Sequence, residues 1–268
     1  MTASYQEAAA FFKPPPRAVL FDAGFTLTFH DGARIAAYAA LAGIRADAAA
    51  LERAEGALRA ELRETEGVTL RTHDDGGYRW HQHLYRRLLA LAETPGDPER
   101  LDSAAGVILR QHRASNAWRR IGPGVREAVG RLRAAGLVLA VVSNSEGTIE
   151  QMLVEIDLRA AFDAVVDSAV VGVTKPDPRI FQIALDRLGV SPADAIMVGD
   201  SPSADIAGAE AAGLRAALID PHGLYPWCRA PHFDGVPAFV EALLTAREGD
   251  GSPPRGERGY PIAADSCR

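Results

Sequence analysis

The chain contains very little cysteine and lysine, and it has no long apolar segment. Of its 268 residues only 2 are cysteines, Cys228 and Cys267, which excludes a disulfide framework and a cysteine zinc cluster. The longest strongly apolar stretch, Leu137 to Val142, is far shorter than the roughly 20 residues that span a bilayer. The first residues lack a basic start followed by an apolar run, so no secretory signal is evident. We therefore expect a cytoplasmic protein without a membrane partner.

Acidic residues outnumber basic residues in the chain. Lys and Arg together number 29 against 35 Asp and Glu, which gives a formal net charge of −6. Proteins that bind nucleic acids carry a basic face, so this balance argues against a nucleic-acid partner. Hydrophobic residues make up 47% and charged residues 24% of the chain, which is typical of a globular protein with one large domain or a core and a smaller domain.

Five short apolar segments alternate with helical patterns along most of the chain. The segments are 17–21, 137–142, 164–166, 195–198 and 215–219, and the helical patterns cover roughly 124–135, 146–157, 177–188 and 204–212. Continuous apolar strands that alternate with helices are typical of a parallel sheet covered on both faces. The sequence therefore predicts an α/β fold, a Rossmann-like parallel sheet with helices on both faces.

The segment after the first predicted strand has a different pattern. Residues 30–118 are rich in Ala, Leu and Arg, follow a helical period and contain no convincing strand, which predicts an inserted helical bundle. We expect the α/β core to comprise 17–29 and 119–245. A proline-ended arm at 1–16 precedes this core, and a polar tail rich in Gly and Pro follows it at 246–268.

Polar residues follow three of the predicted strands. Asp22 comes after the first strand, Ser143 and Asn144 end the second, and Asp200 ends the fourth. Ligands of parallel α/β sheets bind beyond the carboxyl ends of the strands, so we expect these side chains to meet at one edge. Lys175 follows the third strand, opens a helix and is expected at the same edge.

The expected cluster carries an excess of negative charge. Asp22, Asp200 and Asp205 would bring three carboxylates beside the ammonium group of Lys175, leaving a net charge of about −2. A hard divalent cation such as Mg²⁺, which prefers oxygen ligands, would neutralise this charge. A carboxylate beside Mg²⁺ and a lysine is a candidate nucleophile for phosphoryl transfer through an aspartyl-phosphate.

These residues resemble the four motifs of the haloacid dehalogenase (HAD) superfamily of hydrolases. Asp22-Ala-Gly-Phe-Thr26 is similar to the first motif in an Asp-x-Gly-x-Thr variant, Ser143-Asn144 to the second, Lys175-Pro176 to the third and Gly199-Asp-Ser-Pro-Ser-Ala-Asp205 to the fourth. The motifs occur in the family's order, and the resemblance covers about residues 17–245. The inserted helices would then be the C1 cap of subfamily I.

The resemblance implies a Mg²⁺-dependent hydrolase, most simply a phosphatase that acts on a small phosphorylated metabolite. It implies that Asp22 attacks phosphorus and that Lys175 balances charge. The implied site residues are Asp22 and Lys175 for catalysis; Ser143, Asn144 and Lys175 for phosphate; and Asp22, Gly24 through its carbonyl, Asp200 and Asp205 for the metal. The sequence indicates no oligomeric state.

One position departs from the family pattern. Most phosphatases of this family carry an Asp two residues after the nucleophile as general acid and base, and this chain has Gly24 there. Such assistance is worth about 10²–10⁴-fold, so Gly24 alone predicts a preference for phosphates with good leaving groups. The candidates for a replacement acid, each of which would equally suit a solvated surface, are His30, His73, Asp74, Asp75, His81 and His83.

Two other functions stay open. The dehalogenases also lack this Asp because a halide needs no proton to leave, although they are metal-independent and depart from the fourth motif seen here. A non-catalytic module could keep the site for binding alone. A phosphonatase mechanism requires a lysine in the cap, and the two lysines of the chain, Lys13 and Lys175, both lie outside 30–118.

Overall fold

The structure, a computed structural model, describes residues 10–69 and 78–249, with side chains described outside 64–69 and 78–80. The strands in these ranges are β1 Ala18–Phe21, β2 Thr28–Phe29, β3 Arg120–Ile121, β4 Val138–Ser143, β5 Ala164–Asp167, β6 Ala195–Gly199, β7 Arg215–Ile219 and β8 His232–Phe233. Six of them form one parallel sheet in the order β5-β4-β1-β6-β7-β8, and β2 pairs antiparallel with β3. The predicted α/β fold is confirmed.

The helices account for most of the remaining described residues. They are α1 Gly32–Ala40, α2 Ala48–Arg53, α3 Glu55–Thr69, α4 Tyr78–Leu91, α5 Pro98–Ala114, α6 Val125–Ala134, α7 Ile149–Glu155, α8 Ser168–Val171, α9 Pro178–Leu188, α10 Gly208–Ala211 and α11 Val236–Glu248. Short 3₁₀ turns lie at Arg159–Ala161 and Pro192–Asp194, and a π-helical turn lies at Pro202–Ala207. Within the described ranges, none of these helices has the length and hydropathy needed to span a bilayer.

Helices cover both faces of the sheet because its central strands are apolar on both sides. Successive side chains of a strand point to opposite faces. In β1, Val19 and Phe21 join a buried cluster with α6, α7 and α11, whereas Ala18 and Leu20 join a second cluster with α9 and α10. The sheet is therefore the middle layer of three, and its strand ends are the part left open to a ligand.

Strand register brings the polar residues to one edge. β1 lies between β4 and β6 and aligns Phe21 with Val141 and with Val198. The amide of Asp22 donates to the Val198 carbonyl at 2.9 Å, which extends this pairing by one residue. Side chains just beyond these three strands therefore emerge at the same level.

The inserted helices α1–α5 have an apolar core of their own. Leu58, Leu84, Leu88 and Ile108 are buried in a cluster separate from the two that cover the sheet. The short β2–β3 pair closes the base of the insertion where the chain leaves and re-enters the core. This cluster supports the predicted division at 30–118, which stays a prediction.

Parts of the predicted arm and tail pack against the core. Phe12, predicted to lie in the arm, is 1% exposed, and its ring centroid is 5.7 Å from that of Phe239 in α11. Helix α11 continues to Glu248, into the segment predicted as a tail. Most of the predicted tail lies outside the described residues.

Candidate active site

The sequence-predicted site residues meet in one cavity of about 240 Å³ at the carboxyl edge of the sheet. Its lining includes all seven of them: Asp22, Gly24, Ser143, Asn144, Lys175, Asp200 and Asp205. The insertion supplies the opposite wall, through residues of α3, α4 and α5. The cavity is therefore enclosed by two parts of the chain that are far apart in sequence.

Lys175 is the centre of the charged cluster. Its Nζ donates to Oδ1 of Asp22 at 2.5 Å and to Oδ1 of Asp205 at 2.6 Å, and its side chain is 3% exposed. Burial alone would lower the pKa of Lys175, but Asp205 and Asp22 outweigh burial and raise that pKa above its ordinary value. Lys175 therefore stays cationic and links the nucleophile candidate to the fourth motif.

Asn144 positions the lysine through its backbone. Its Oδ1 accepts from the Lys175 amide at 2.8 Å, and its Nδ2 donates to the Lys175 carbonyl at 3.0 Å. Because an amide nitrogen carries two hydrogens, the predicted contact of Asn144 with phosphate is compatible with this role and stays a prediction.

Three carboxyl groups lie within reach of one cation. Asp22, Asp200 and Asp205 each place a carboxylate oxygen within 4.8 Å of the others. Burial raises the pKa of Asp22 to about 6, with Lys175 opposing the rise and Asp205 adding to it. Burial likewise raises the pKa of Asp200 to about 8, although Arg59 opposes it. The cluster thus has more negative charge than the protein compensates, and this donor set fits a hard divalent cation such as Mg²⁺.

Asp205 is fixed by the turn that follows β6. The amide of Ser201 donates to Oδ2 of Asp205 at 3.0 Å, and the π-helical turn Pro202–Ala207 buries the carboxylate to 1% exposure. A Cβ at Gly199 would lie 2.2 Å from that same Oδ2, so only glycine fits at the end of the strand. The separation of Gly199 and Asp205 in the fourth motif therefore matches a turn that folds the carboxylate back against the strand end.

Arg59 was not predicted as a site residue. It extends from α3, and its Nη2 donates to Oδ2 of Asp200 and to the carbonyl of Ile219, both at 3.3 Å. Its guanidinium carbon lies 5.2 Å from the ring centroid of Phe25. With this second cation the cluster has a net charge of about −1 rather than about −2. No local pattern distinguishes Arg59 from the many other arginines of the insertion.

Trp118 explains why glycine occupies position 24. A Cβ on Gly24 would lie 3.2 Å from Cζ3 and 3.4 Å from Cε3 of the Trp118 ring. That indole is held by Phe25 and His30, whose ring centroids are 4.7 Å and 4.0 Å away. A side chain at position 24 therefore requires the indole to shift by a few tenths of an ångström.

The described candidates for a replacement acid differ in whether they line the cavity. His81 lines the cavity, where its Nε2 lies 2.8 Å from Oε1 of Glu146. His30 is fully buried, with its Nδ1 3.0 Å from Glu55, and His83 lies on the part of α4 near Glu61; neither is among the lining residues. Candidates at 73–75 lie outside the described residues. Glu146 was missed because it belongs to no motif that the sequence showed.

A match to a known family extends over most of the chain. The family model for haloacid dehalogenase-like hydrolases matches residues 16–213, which include all four motifs. The chain belongs to the haloacid dehalogenase-like hydrolase family. The resemblance seen in the sequence is confirmed at this level, and the protein is a HAD-like hydrolase; its assignment to subfamily I with a C1 cap stays a prediction.

Individual relatives include a phosphatase and a dehalogenase. A phosphoserine phosphatase of Thermus thermophilus is 38% identical over 138 residues, which are 51% of this chain and 53% of that protein. The chain thus spans about half the length of the curated relatives it matches. The structure of a HAD phosphatase from Thermococcus onnurineus is 25% identical, with a TM-score of 0.54 over 89% of this chain and 99% of that chain. A 2-haloacid dehalogenase from Pseudomonas syringae is 28% identical, with a TM-score of 0.53 over 86% and 99%.

Proposed function

We propose that this HAD-like hydrolase is a Mg²⁺-dependent phosphatase that removes the phosphoryl group from a small phosphorylated metabolite. The observation that carries the proposal is the contact between the carboxylate of Asp22 and Nζ of Lys175. A carboxylate oxygen of Asp200 and one of Asp205 lie within 4.8 Å of a carboxylate oxygen of Asp22. A nucleophilic carboxylate, a fixed cation and spare oxygen ligands are what an aspartyl-phosphate mechanism requires.

Each residue has a definite part in the proposed reaction. Asp22 attacks phosphorus, and Lys175 stabilises both its carboxylate and the incoming phosphoryl oxygens. Ser143, which is 4% exposed at the end of β4, binds a phosphoryl oxygen through its hydroxyl. Mg²⁺ would be held by Asp22, the carbonyl of Gly24, Asp200 and Asp205, and when bound it supplies charge neutralisation to the phosphoryl group.

The shape of the site supports a small substrate. A cavity of about 240 Å³ admits a metabolite with its phosphate at the sheet edge. Trp118 and Arg59 of the insertion, together with Phe25 of the first motif, offer apolar surface and one positive charge to the rest of the substrate.

Halide displacement is the second candidate, because the 2-haloacid dehalogenase from Pseudomonas syringae is similar over most of both chains. That reaction requires neither Mg²⁺ nor a leaving-group proton. Phosphatase and dehalogenase activity therefore differ in their response to a chelator.

The deciding experiment is a screen of phosphate monoesters and 2-haloacids, each with Mg²⁺ and with EDTA. We expect Mg²⁺-dependent release of inorganic phosphate that is lost in Asp22→Asn and kept in Asp186→Asn, an exposed change on α9. Haloacid turnover that survives EDTA would assign the dehalogenase reaction instead. Binding of phosphate without turnover in the wild type would assign the chain as a binding module.

A further inference from the structure

We propose that Glu146 and His81 form the acid/base pair of this enzyme and replace the aspartate that Gly24 lacks. The inference rests on the proposed phosphatase function, which supplies the leaving oxygen that needs a proton. The two side chains come from opposite walls of the cavity: Glu146 follows β4 in the core, and His81 belongs to α4 of the insertion.

The two side chains form a close ion-pair contact, in which the buried Oε1 of Glu146 has no hydrogen bond within the described part of the chain. Nε2 of His81 lies 2.8 Å from Oε1 of Glu146, and each side chain is 15% exposed. Ser145 Oγ donates to the other carboxylate oxygen, Oε2, at 3.3 Å. Both side chains line the cavity that Asp22 and Lys175 also line, so a substrate bound there lies beside the pair.

A second histidine marks the place where an oxygen atom fits. The amide of Ala117 donates to Nδ1 of His112 at 3.1 Å, so Nδ1 is an acceptor and the ring hydrogen is on Nε2. That Nε2 lies 3.6 Å from Oε2 of Glu146, and it has no hydrogen-bond partner within the described part of the chain. His112 is 1% exposed and lines the cavity, so an entering oxygen would satisfy a buried donor.

The same tautomer argues for proton chemistry rather than a metal at this cluster. Ligand atoms of His81, His112 and Glu146 lie within 4.8 Å of one another, which is also the spacing of a metal site. Coordination through Nε2 of His112 would move the ring hydrogen to Nδ1. The hydrogen on Nδ1 would then point at the hydrogen of the Ala117 amide, and the hydrogen bond between these two groups would be lost.

The surroundings of Glu146 keep its carboxyl group ionised. Burial raises the pKa of the Glu146 carboxyl, but its interactions with His112 and His81 outweigh burial and hold that pKa well below its ordinary value. The hydroxyl of Tyr85, 3.0 Å from Nδ1 of His112, is the other titratable group that faces this cluster. Glu146 therefore remains a carboxylate in contact with the ring of His81.

The proton balance closes over the two steps. In the first step Asp22 bonds to phosphorus, the bond from phosphorus to the leaving oxygen breaks, and one proton held by the Glu146–His81 pair passes to that oxygen. In the second step a water oxygen bonds to phosphorus while one water proton returns to the pair. The bond from phosphorus to Asp22 breaks, and inorganic phosphate leaves with the pair restored.

Leaving-group dependence tests the pair. We would measure kcat/KM with p-nitrophenyl phosphate, whose leaving group needs no proton, and with phenyl phosphate and an alkyl phosphate, which do. Glu146→Gln and His81→Gln are each expected to lose about 10²–10⁴-fold on the alkyl phosphate and less than about tenfold on the nitrophenyl ester. Two variants on separate elements guard against a folding defect in one of them.

Matched controls come from neighbouring residues of the same type. Glu150→Gln changes an exposed glutamate paired with Arg159, and His83→Gln changes a histidine outside the cavity lining; both should retain wild-type rates on all three esters. Equal losses across the three esters in the test variants, or a wild type already unable to use alkyl phosphates, would overturn the pair while leaving the phosphatase proposal intact. Absence of any Mg²⁺-dependent phosphate release from the wild type would overturn both.

Discussion

Replacing Gly24 with aspartate is expected to destabilise the protein by about 1–3 kcal/mol, the usual cost of overpacking. The Cβ alone would lie 3.2 Å from Cζ3 of Trp118, which is closer than nearly all real Cβ contacts and requires the ring to shift by a few tenths of an ångström. Backbone strain is not the cause, since Gly24 is absent from the positions with positive φ. The whole penalty therefore comes from contact with Trp118 and from a further carboxylate beside Asp22.

A double-mutant cycle isolates the contact with the indole. In a Trp118→Ala background the penalty of Gly24→Asp should shrink by about 1–2 kcal/mol, which is the coupling energy of the two sites. The assay is urea unfolding at pH 7 in metal-free buffer, with the free energy of unfolding compared across the four proteins of the cycle. Gly24→Ala, which adds the Cβ without a carboxylate, should cost less than about 1 kcal/mol.

Gly130→Asp is the matched control, because a Cβ on this exposed glycine of α6 meets nothing within 4 Å. It should change the free energy of unfolding by no more than about 0.5 kcal/mol. A Gly24→Asp protein as stable as Gly130→Asp, or a coupling energy near zero, would refute the steric account of position 24. The absence of the family's acid would then need another explanation.

Three further outcomes follow from the charged cluster. Lys175→Met should cost about 3–5 kcal/mol in urea unfolding because it leaves Asp22 and Asp205 buried without their cation, whereas Lys13→Met at an exposed position should stay within about 0.5 kcal/mol. Burial raises the pKa of Asp200 to about 8, so the folded state holds a proton that the unfolded chain loses near the ordinary aspartate pKa of 3.8. Melting temperatures of the metal-free protein should therefore fall as pH rises from about 4 to about 8, and Asp200→Asn should flatten that slope. Arg59→Met should weaken competitive inhibition by inorganic phosphate about tenfold, the value of one charged hydrogen bond, while Arg63→Met at an exposed position of α3 should not.

The sheet edge was predictable because it depends on local signals. Apolar runs that stop at Asp22, Ser143 and Asp200 mark strand ends, and parallel topology carries such ends to one side whatever lies between them. The spacing from Gly199 to Asp205 also carries information, since the turn that it specifies buries the carboxylate. These residues could be grouped from sequence, although no distance between them could be derived.

The opposite wall was not predictable for a related reason. Arg59, Trp118 and His81 reach the cavity through the packing of helices, and helix packing depends on apolar contacts distributed over the entire insertion. An arginine that faces a carboxylate and an arginine that faces water look alike in a helical repeat. Strands of two residues, such as β2 and β3, are likewise too short to show a period.

The β2–β3 pair at the base of the insertion has a consequence for turnover. β2 and β3 lie side by side, with Thr28 opposite Ile121, so the insertion is tethered to the sheet along one narrow ribbon. If the insertion swings about this ribbon to release product, His81 would separate from Glu146 and Arg59 from Asp200 in the same movement. Proton transfer would then occur in the closed conformation and product release in the open one. If this swing limits turnover, kcat should fall in proportion to the relative viscosity as viscosogen is added.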